Sequence, residues 1–278
     1  MLRIIVDSSA NIFQSEAEEL GVKILPLGIN FNDEEFLDDV NISIDEFYTK
    51  LTTTKIFPKT SLLGMELMEN EFEDARKAGD DVLLMVISSQ LSGTYNCAKL
   101  VKEQGNYNNV YIYDTLGATA KNRILVDVAI KNCNKPPEEI IKILDEVREN
   151  TRVFASLDTL EYLARGGRLS KASAAIGNML NLKPILSVET DGTLDVKAKV
   201  IGLNKAISTV TTLVEKEGGI NTDYPVYFLY SMHKTNGEKL QAKYPQLTNA
   251  KLLNLCSVIG AHIGPGVAGI CFVKKNKA

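Results

Sequence analysis

The chain has 278 residues, of which 45% are hydrophobic and 24% are charged, and its formal net charge is −4. This balance supports a folded core, and the lack of a dense basic run argues against a nucleic-acid partner. The longest apolar runs fall far short of the roughly 18 residues of a transmembrane helix, and the apolar start of the chain is too short for a secretory signal. Four widely spaced cysteines have no metal-binding spacing, so we expect reduced core cysteines, no metal site and a cytoplasmic protein. They are Cys97, Cys133, Cys256 and Cys271.

Strand and helix patterns alternate through the first half of the chain. Short apolar or alternating runs predict strands over 3–6, 22–29, 82–87 and 110–113. A capping box, Ser43-Ile44-Asp45-Glu46, begins one helix, and further helices are predicted over 65–77, from 94 onward, over 116–133 and over 137–149. The polar segment 30–41 is expected to be an exposed excursion. Such alternation favours a parallel sheet with helices on both faces.

The second half of the chain has a different pattern. Strands are predicted over 153–156, 184–189, 193–200, 226–231, 252–258 and 267–273, and Asp191-Gly192 between the second and third is a strong hairpin signal. Helices are predicted over 159–165, 172–180, 204–217 and 237–243. Asp158 is expected to cap the first of these and a left-handed Gly166 to end it, and Ser170 is expected to cap the second. We therefore predict an α/β protein of two domains. The first, 1–155, has a parallel sheet, and the second, 156–278, has a mixed or antiparallel sheet with helices.

The segment 82–97 predicts an anion-binding loop. A buried strand ends at Ile87, a polar loop covers 88–93, and a helix begins at Thr94. The first N–H groups of a helix lack internal partners and its dipole is positive there, so this loop suits a carboxylate or a phosphate. A helix cap formed by Ser92 or Gly93 accounts for the same residues equally well.

Three other positions are candidates for binding. Thr60 and Ser61 form a second hydroxyl pair before the helix at 65–77, where an N-cap is the simpler explanation. His262 lies in a Gly- and Pro-rich loop, 260–266, which suits either a functional or a merely solvated histidine. Arg168 presents a planar fork suited to phosphate or to a structural ion pair.

Two enzymatic interpretations remain open from the residues. Ser92 and His262 with Asp7 or Asp114 could form a hydrolase triad, although the sequence around Ser92 is not a GxSxG elbow. Asp7 by itself is typical of a turn after the first strand. A phosphate-binding enzyme could use the same helix starts. Because neither the dinucleotide-binding glycine pattern nor a P-loop occurs, no nucleotide cofactor is expected.

Several segments of the chain, taken together, resemble a known family. They are IIVDSSANI from Ile4, Lys59-Thr60-Ser61, SSQLSGTY from Ser88, Tyr113-Asp114-Thr115, YLARGGRLS from Tyr162, LKPIL from Leu182 and GAHIGPG from Gly260. In this order they resemble the DegV family of bacterial fatty-acid-binding proteins, the binding subunits of fatty acid kinases. The main departure is Leu62-Leu63-Gly64, where the family usually has Gln-Pro-Ser.

The resemblance implies a binding site for a long-chain fatty acid. Its carboxyl group would lie between the two helix starts, hydrogen-bonded by Thr60 and Ser92, with His262 approaching from the second domain. The acyl chain would run into an apolar tunnel in the first domain, and the second domain would close over the carboxylate. The implied fatty-acid-binding residues are Thr60, Ser61, Ser92, Gly93, Thr94 and His262.

The resemblance also implies a partner. A separate ATP-dependent kinase would phosphorylate the bound carboxylate, with Arg168 holding the phosphate or the kinase complex. The protein would then carry acyl phosphate to phospholipid synthesis, in transient contact with a membrane or an acyltransferase. It would have no catalytic activity and no cofactor of its own.

Overall fold

The first half of the chain alternates strands and helices, as predicted. The computed structural model describes residues 1–54, 56–169 and 181–275. The strands of the first half are β1 (Leu2–Asp7), β2 (Val22–Leu25), β3 (Gly28–Phe31), β4 (Glu34–Leu37), β5 (Lys59–Ser61), β6 (Asp81–Val86) and β7 (Val110–Asp114). Its helices are α1 (Gln14–Leu20), α2 (Ile44–Thr53), α3 (Met65–Ala78), α4 (Thr94–Gly105), α5 (Ala120–Lys131) and α6 (Pro137–Asn150).

These strands form two sheets. The larger is parallel, in the order β2-β1-β6-β7, and the smaller is antiparallel, in the order β4-β3-β5. The predicted strand over 22–29 is wrong, because it is divided between them: β2 ends at Leu25 and β3 starts at Gly28. Pro26 lies at the break and has no N–H group with which to continue a strand ladder. The excursion over 30–41 contains β4.

The second half of the chain forms a mixed sheet, as predicted. Its strands are β8 (Thr151–Ser156), β9 (Leu182–Val188), β10 (Leu194–Ile201), β11 (Tyr227–Tyr230), β12 (Lys251–Asn254) and β13 (Ala268–Val273). Its helices are α7 (Glu161–Arg165), α8 (Leu203–Lys216), α9 (Lys234–Gln241) and α10 (Ser257–Ile263). The strand order is β10-β9-β8-β13-β11-β12, and every neighbouring pair is antiparallel except β11 with β12. The hairpin at Asp191-Gly192 is confirmed, and Gly192 has φ +87°.

Several predicted element boundaries are wrong. The strand expected over 252–258 ends at Asn254, and α10 follows it. The helix expected from Leu116 starts at Ala120, because Leu116 and Thr119 have φ of 44° and 51°, outside the helical region. The left-handed glycine after α7 is Gly167 and not Gly166.

Two further predictions concern a helix and the cysteines. The predicted helix over 172–180 and its Ser170 cap lie outside the described residues. All four cysteines are free, but Cys133 is exposed and so is not a core residue.

The helix α5 lies between the parallel sheet and the mixed sheet. It contacts β1 and β6 on one side and β8 and β13 on the other, and nearly all its residues are buried. A helix covered all round in this way joins the two sheets into one apolar core. The mixed sheet begins at Thr151, the first residue of β8, since β8 pairs with β9 and β13. Within the described ranges, no helix has the length and hydropathy needed to cross a bilayer.

The contact of α10 with α2 requires a glycine at position 260. A Cβ atom there would lie 2.7 Å from Phe47 Cε1 and from Tyr48 Oη. We expect Gly260→Ala to lower the free energy of unfolding by about 1–3 kcal/mol through overpacking. The matched control is Gly64→Ala, whose Cβ would be 3.7 Å from Leu67. Equal melting temperatures for the two variants would contradict this packing.

Candidate functional site

A largely apolar pocket lies between the parallel sheet and the mixed sheet. The space between its walls, counted out to the solvent at its open mouth, is about 880 Å³. Apolar residues form most of its wall: Leu27, Ile87, Leu91, Ala118, Val153, Ala155, Leu157, Leu163, Leu186, Val188, Leu194, Leu229, Leu255, Val258, Ile259 and Ile263. The polar part of the wall consists of Thr60, Ser61, Ser92, Thr119, Arg168, Ser187 and His262.

The apolar wall comes from both halves of the chain. Leu27 and Ile87 belong to the first half, whereas Leu186, Val188 and Leu229 lie on strands of the mixed sheet. The resemblance had implied a tunnel within the first domain. The apolar pocket instead lies between the halves, because one face of the mixed sheet supplies much of its wall.

Thr60 reaches the pocket from a strand and not from a helix start. It lies in β5, opposite Ile29 of β3, whereas α3 begins only at Met65 with Gly64 as its N-cap. The predicted hydroxyl pair at a helix start is therefore wrong for Thr60 and Ser61. The hydroxyl of Thr60 lies 2.8 Å from Nε2 of His262. This hydrogen bond joins residues 202 positions apart.

Ser92 lies immediately before α4, as predicted. Its Oγ is 2.9 Å from Oγ1 of Thr94 and accepts a hydrogen bond from the Thr94 N–H at 3.3 Å. Gly93 is the N-cap residue, and Thr94 is fully buried. The Ser92 hydroxyl therefore both supports the helix start and lines the pocket. The two explanations of this residue, a cap and a binding group, are compatible.

His262 occupies the last turn of α10, so its predicted place in a loop is wrong. Burial, assisted by the nearby charge of Arg168, lowers the pKa of its imidazole to about 4. The ring is therefore neutral near pH 7. Its Nδ1 is buried, and within the described part of the chain it has no hydrogen-bond partner.

The surroundings of His262 select one tautomer. A Cβ atom at Gly166 would collide with Nδ1, so the backbone of this glycine closes that side of the ring. With no described acceptor for a proton on Nδ1, we assign the proton to Nε2, which donates it to the Thr60 oxygen. The O–H of Thr60 is then available to donate to a bound acceptor.

Arg168 contributes a positive charge to the same part of the wall. Its Nε donates to the Leu91 carbonyl at 3.1 Å, and Nη1 donates to the Gly166 carbonyl at 2.6 Å. The guanidinium therefore connects the loop before α4 with the turn after α7. Among the residues that the structure describes, its hydrogen bonds are to backbone carbonyls, whereas the structural alternative considered from the sequence was an ion pair.

The two acidic candidates for a hydrolase triad are used elsewhere. The fully buried Asp7 accepts hydrogen bonds from the N–H groups of Ser9 and Ile87, at 3.0 and 2.8 Å, and burial raises its pKa to about 6. Asp114 accepts from the N–H groups of Ser89 and Leu116. Since a triad requires an acid at the second nitrogen of the histidine, the described residues do not form one.

Comparisons with known proteins agree on a single family. A family model described as "Uncharacterised protein, DegV family" matches residues 1–275. The chain is 31% identical to a DegV domain-containing protein of Clostridium acetobutylicum, with 99% of each covered. It is similar to a structure of a fatty-acid-binding DegV family protein from Thermus thermophilus, with a TM-score of 0.88, 27% identity and 99% of each chain covered. It is also similar to DegV, a fatty acid binding protein from Bacillus subtilis, with a TM-score of 0.83, 27% identity and 99% coverage of both chains.

The surroundings of His262 predict an unusual titration. Its imidazole should remain neutral at pH 6 and become charged with a midpoint near pH 4. Because this pKa is below the ordinary value of 6.5, the unfolded state binds more protons than the folded state between pH 4 and pH 6.5. The stability contributed by the neutral ring is therefore lost as the pH falls from 6.5 towards 4. Nitrogen-15 NMR of labelled histidine measures the midpoint, and His233→Gln identifies the signal, since the chain has two histidines. A midpoint at 6.5 or above would contradict the buried, neutral ring.

Proposed function

This chain belongs to the DegV family, and on that premise we propose that it binds a long-chain fatty acid in the pocket between its sheets. The observation that supports this most directly is the division of the pocket wall. Most of it is apolar, and the smaller polar part includes Thr60, Ser92, Arg168 and His262. A fatty acid has the same division between an acyl chain and a carboxyl group.

The apolar wall supplies the main drive for binding. Burying one methylene group contributes about 0.8 kcal/mol, so burying a sixteen-carbon chain contributes roughly 10 kcal/mol of favourable free energy before any ordering cost. Ordering the chain and losing its free motion remove much of this. We place the acyl chain between the two sheets, because Leu186, Val188 and Leu229 of the mixed sheet face Ile87 and Leu27 across the same pocket.

The polar part of the wall sets the orientation of the ligand. We propose that the carboxylate accepts hydrogen bonds from the hydroxyls of Thr60 and Ser92, close to Ser61, Gly93 and Thr94. The start of α4 adds the positive end of a helix dipole. Hydrogen bonds to a charged acceptor are about twice as strong as neutral ones. In this arrangement the domain at 1–155 supplies the two hydroxyls and the domain at 156–278 closes over the carboxylate.

We further propose that the protein is a binding subunit that presents the carboxylate to a separate ATP-dependent kinase and carries the acyl phosphate to phospholipid synthesis. The support is the resemblance in sequence, together with the position of Arg168 at the pocket wall. Two of its N–H groups are fixed by backbone carbonyls, so its positive charge is held at the pocket wall. A guanidinium held in this way suits phosphate.

Removal of either hydroxyl should weaken fatty acid binding. We expect Thr60→Val and Ser92→Ala each to lower affinity about ten- to a hundredfold, since a hydrogen bond to a charged group is worth about 1.5–3 kcal/mol. Displacement of a fluorescent fatty acid measures the change. The matched control is Thr209→Val on α8, whose hydroxyl donates to the Lys205 carbonyl of the same helix. Unchanged affinity in both site variants would contradict the carboxylate position.

Replacement of Arg168 should separate binding from phosphate transfer. We expect Arg168→Ala to keep near-normal fatty acid affinity but to lose most acyl phosphate formation with the kinase and ATP, because the charge is needed for the phosphoryl group. Arg165→Ala is the control, since this neighbouring arginine is exposed and stacks on Phe57. Loss of binding in step with transfer would assign Arg168 to the carboxylate site or to the fold. Unchanged transfer would remove it from the mechanism.

A further inference from the structure

Side chains from the first 50 residues hold the backbone that leads into α10. Asn11 donates to the Asn254 carbonyl at 2.8 Å and accepts from the Cys256 N–H at 2.8 Å. The other contacts come from Tyr48, whose hydroxyl donates to the Leu255 carbonyl at 3.1 Å, and from Asp38, which accepts from the Ser257 N–H at 3.2 Å. Four consecutive residues, 254–257, therefore each have a backbone group bonded to a side chain more than 200 positions away.

These three side chains, Asn11, Asp38 and Tyr48, are called the α10 clamp below. Each of them is at most 1% exposed, so water does not compete for their hydrogen bonds. Burial raises the pKa of Asp38 to about 6, and its Oδ1 accepts the hydrogen bond from the helix N–H. An isolated carboxylate would not be buried without such a partner.

The helix α10 depends on this support. It has seven residues, which is too short to be stable by itself, and its N-cap, Cys256, makes no side-chain capping bond. Gly260 fits it closely against Phe47 and Tyr48. At the other end of the helix, His262 meets Thr60. The first half of the chain thus contacts α10 at its start, its middle and its end, although the helix lies in the second half.

We propose that Asn11, Asp38 and Tyr48 are positioning residues for the head-group site, which hold α10 so that Nε2 of His262 meets the hydroxyl of Thr60. None of the three lines the pocket wall formed by the described residues. They act on the ligand through α10. The effect on fatty acid affinity rests on the proposed function, whereas the effect on His262 does not.

Tyr48→Phe removes one hydroxyl and leaves the ring in place. In the ligand-free protein we expect it to shift the nitrogen-15 signals of His262, and to weaken fatty acid binding about two- to tenfold, the value of one neutral hydrogen bond. Tyr113→Phe is the matched control. Tyr113 is also a buried tyrosine, 3% exposed, and its hydroxyl bonds to Asp145, away from α10. This control should leave both readouts at wild-type values.

The two substitutions of Asp38 separate its acceptor oxygen from its charge. Asp38→Asn keeps an oxygen that can accept from the Ser257 N–H. The His262 signals and the fatty acid affinity of this variant should therefore stay close to their wild-type values. Asp38→Ala removes the acceptor, so it should shift the His262 signals and weaken fatty acid binding at least as much as Tyr48→Phe does. The melting temperature of every variant shows how much each substitution lowers the stability of the whole protein.

The outcomes distinguish the clamp from the proposed function. If Tyr48→Phe and Asp38→Ala lower the melting temperature but leave the His262 signals and the affinity unchanged, the clamp is only structural and the proposal is overturned. If the His262 signals shift as expected but the wild-type protein binds no fatty acid, the positioning of His262 stands and the proposed function fails. Should Asp38→Ala not fold, Tyr48→Phe still decides the question.

Discussion

The hydrogen bond between Thr60 and His262 joins the two halves of the chain at the polar part of the pocket. Burial lowers the pKa of this imidazole to about 4, so the ring is neutral near pH 7. The backbone of Gly166 lies close to Nδ1, where a side chain on this residue would collide. Through this bond a histidine from the second half determines which atoms of a threonine from the first half are free to meet a ligand.

The rest of the pocket follows from the way in which two different sheets face each other. The parallel sheet brings the loop before α4 to the pocket, as expected for the carboxyl ends of parallel strands. The mixed sheet contributes an apolar face of alternating residues, including Val153 and Ala155 on β8. A pocket between such surfaces has a mostly apolar wall with a smaller polar part, and this division suits an amphiphile better than a compact polar metabolite.

The sequence predicted the local elements of the site better than its assembly. The strand, polar loop and helix around Ser92 were recognisable, because an apolar run and a helix start are both local patterns. Thr60 was wrongly assigned to a helix start, since its strand, β5, exists only by pairing with the distant β3. His262 was wrongly assigned to a loop because glycine and proline surround it. Gly260 is explained by close packing against Phe47 and Tyr48 within a helix. The α10 clamp gave no sequence signal, because its bonds join residues over 200 positions apart.

We propose that a fatty acid lies between the sheets with its carboxyl group at Thr60 and Ser92. A crystal structure of the protein with a fatty acid brominated at its methyl end tests this most directly, because anomalous scattering locates the bromine independently of the carboxyl group. We expect one bromine peak among the apolar wall residues, and carboxylate oxygens within hydrogen-bond distance of Thr60 Oγ1 and Ser92 Oγ. A bromine peak beside Thr60 and Ser92, or a ligand bound outside this pocket, would contradict it.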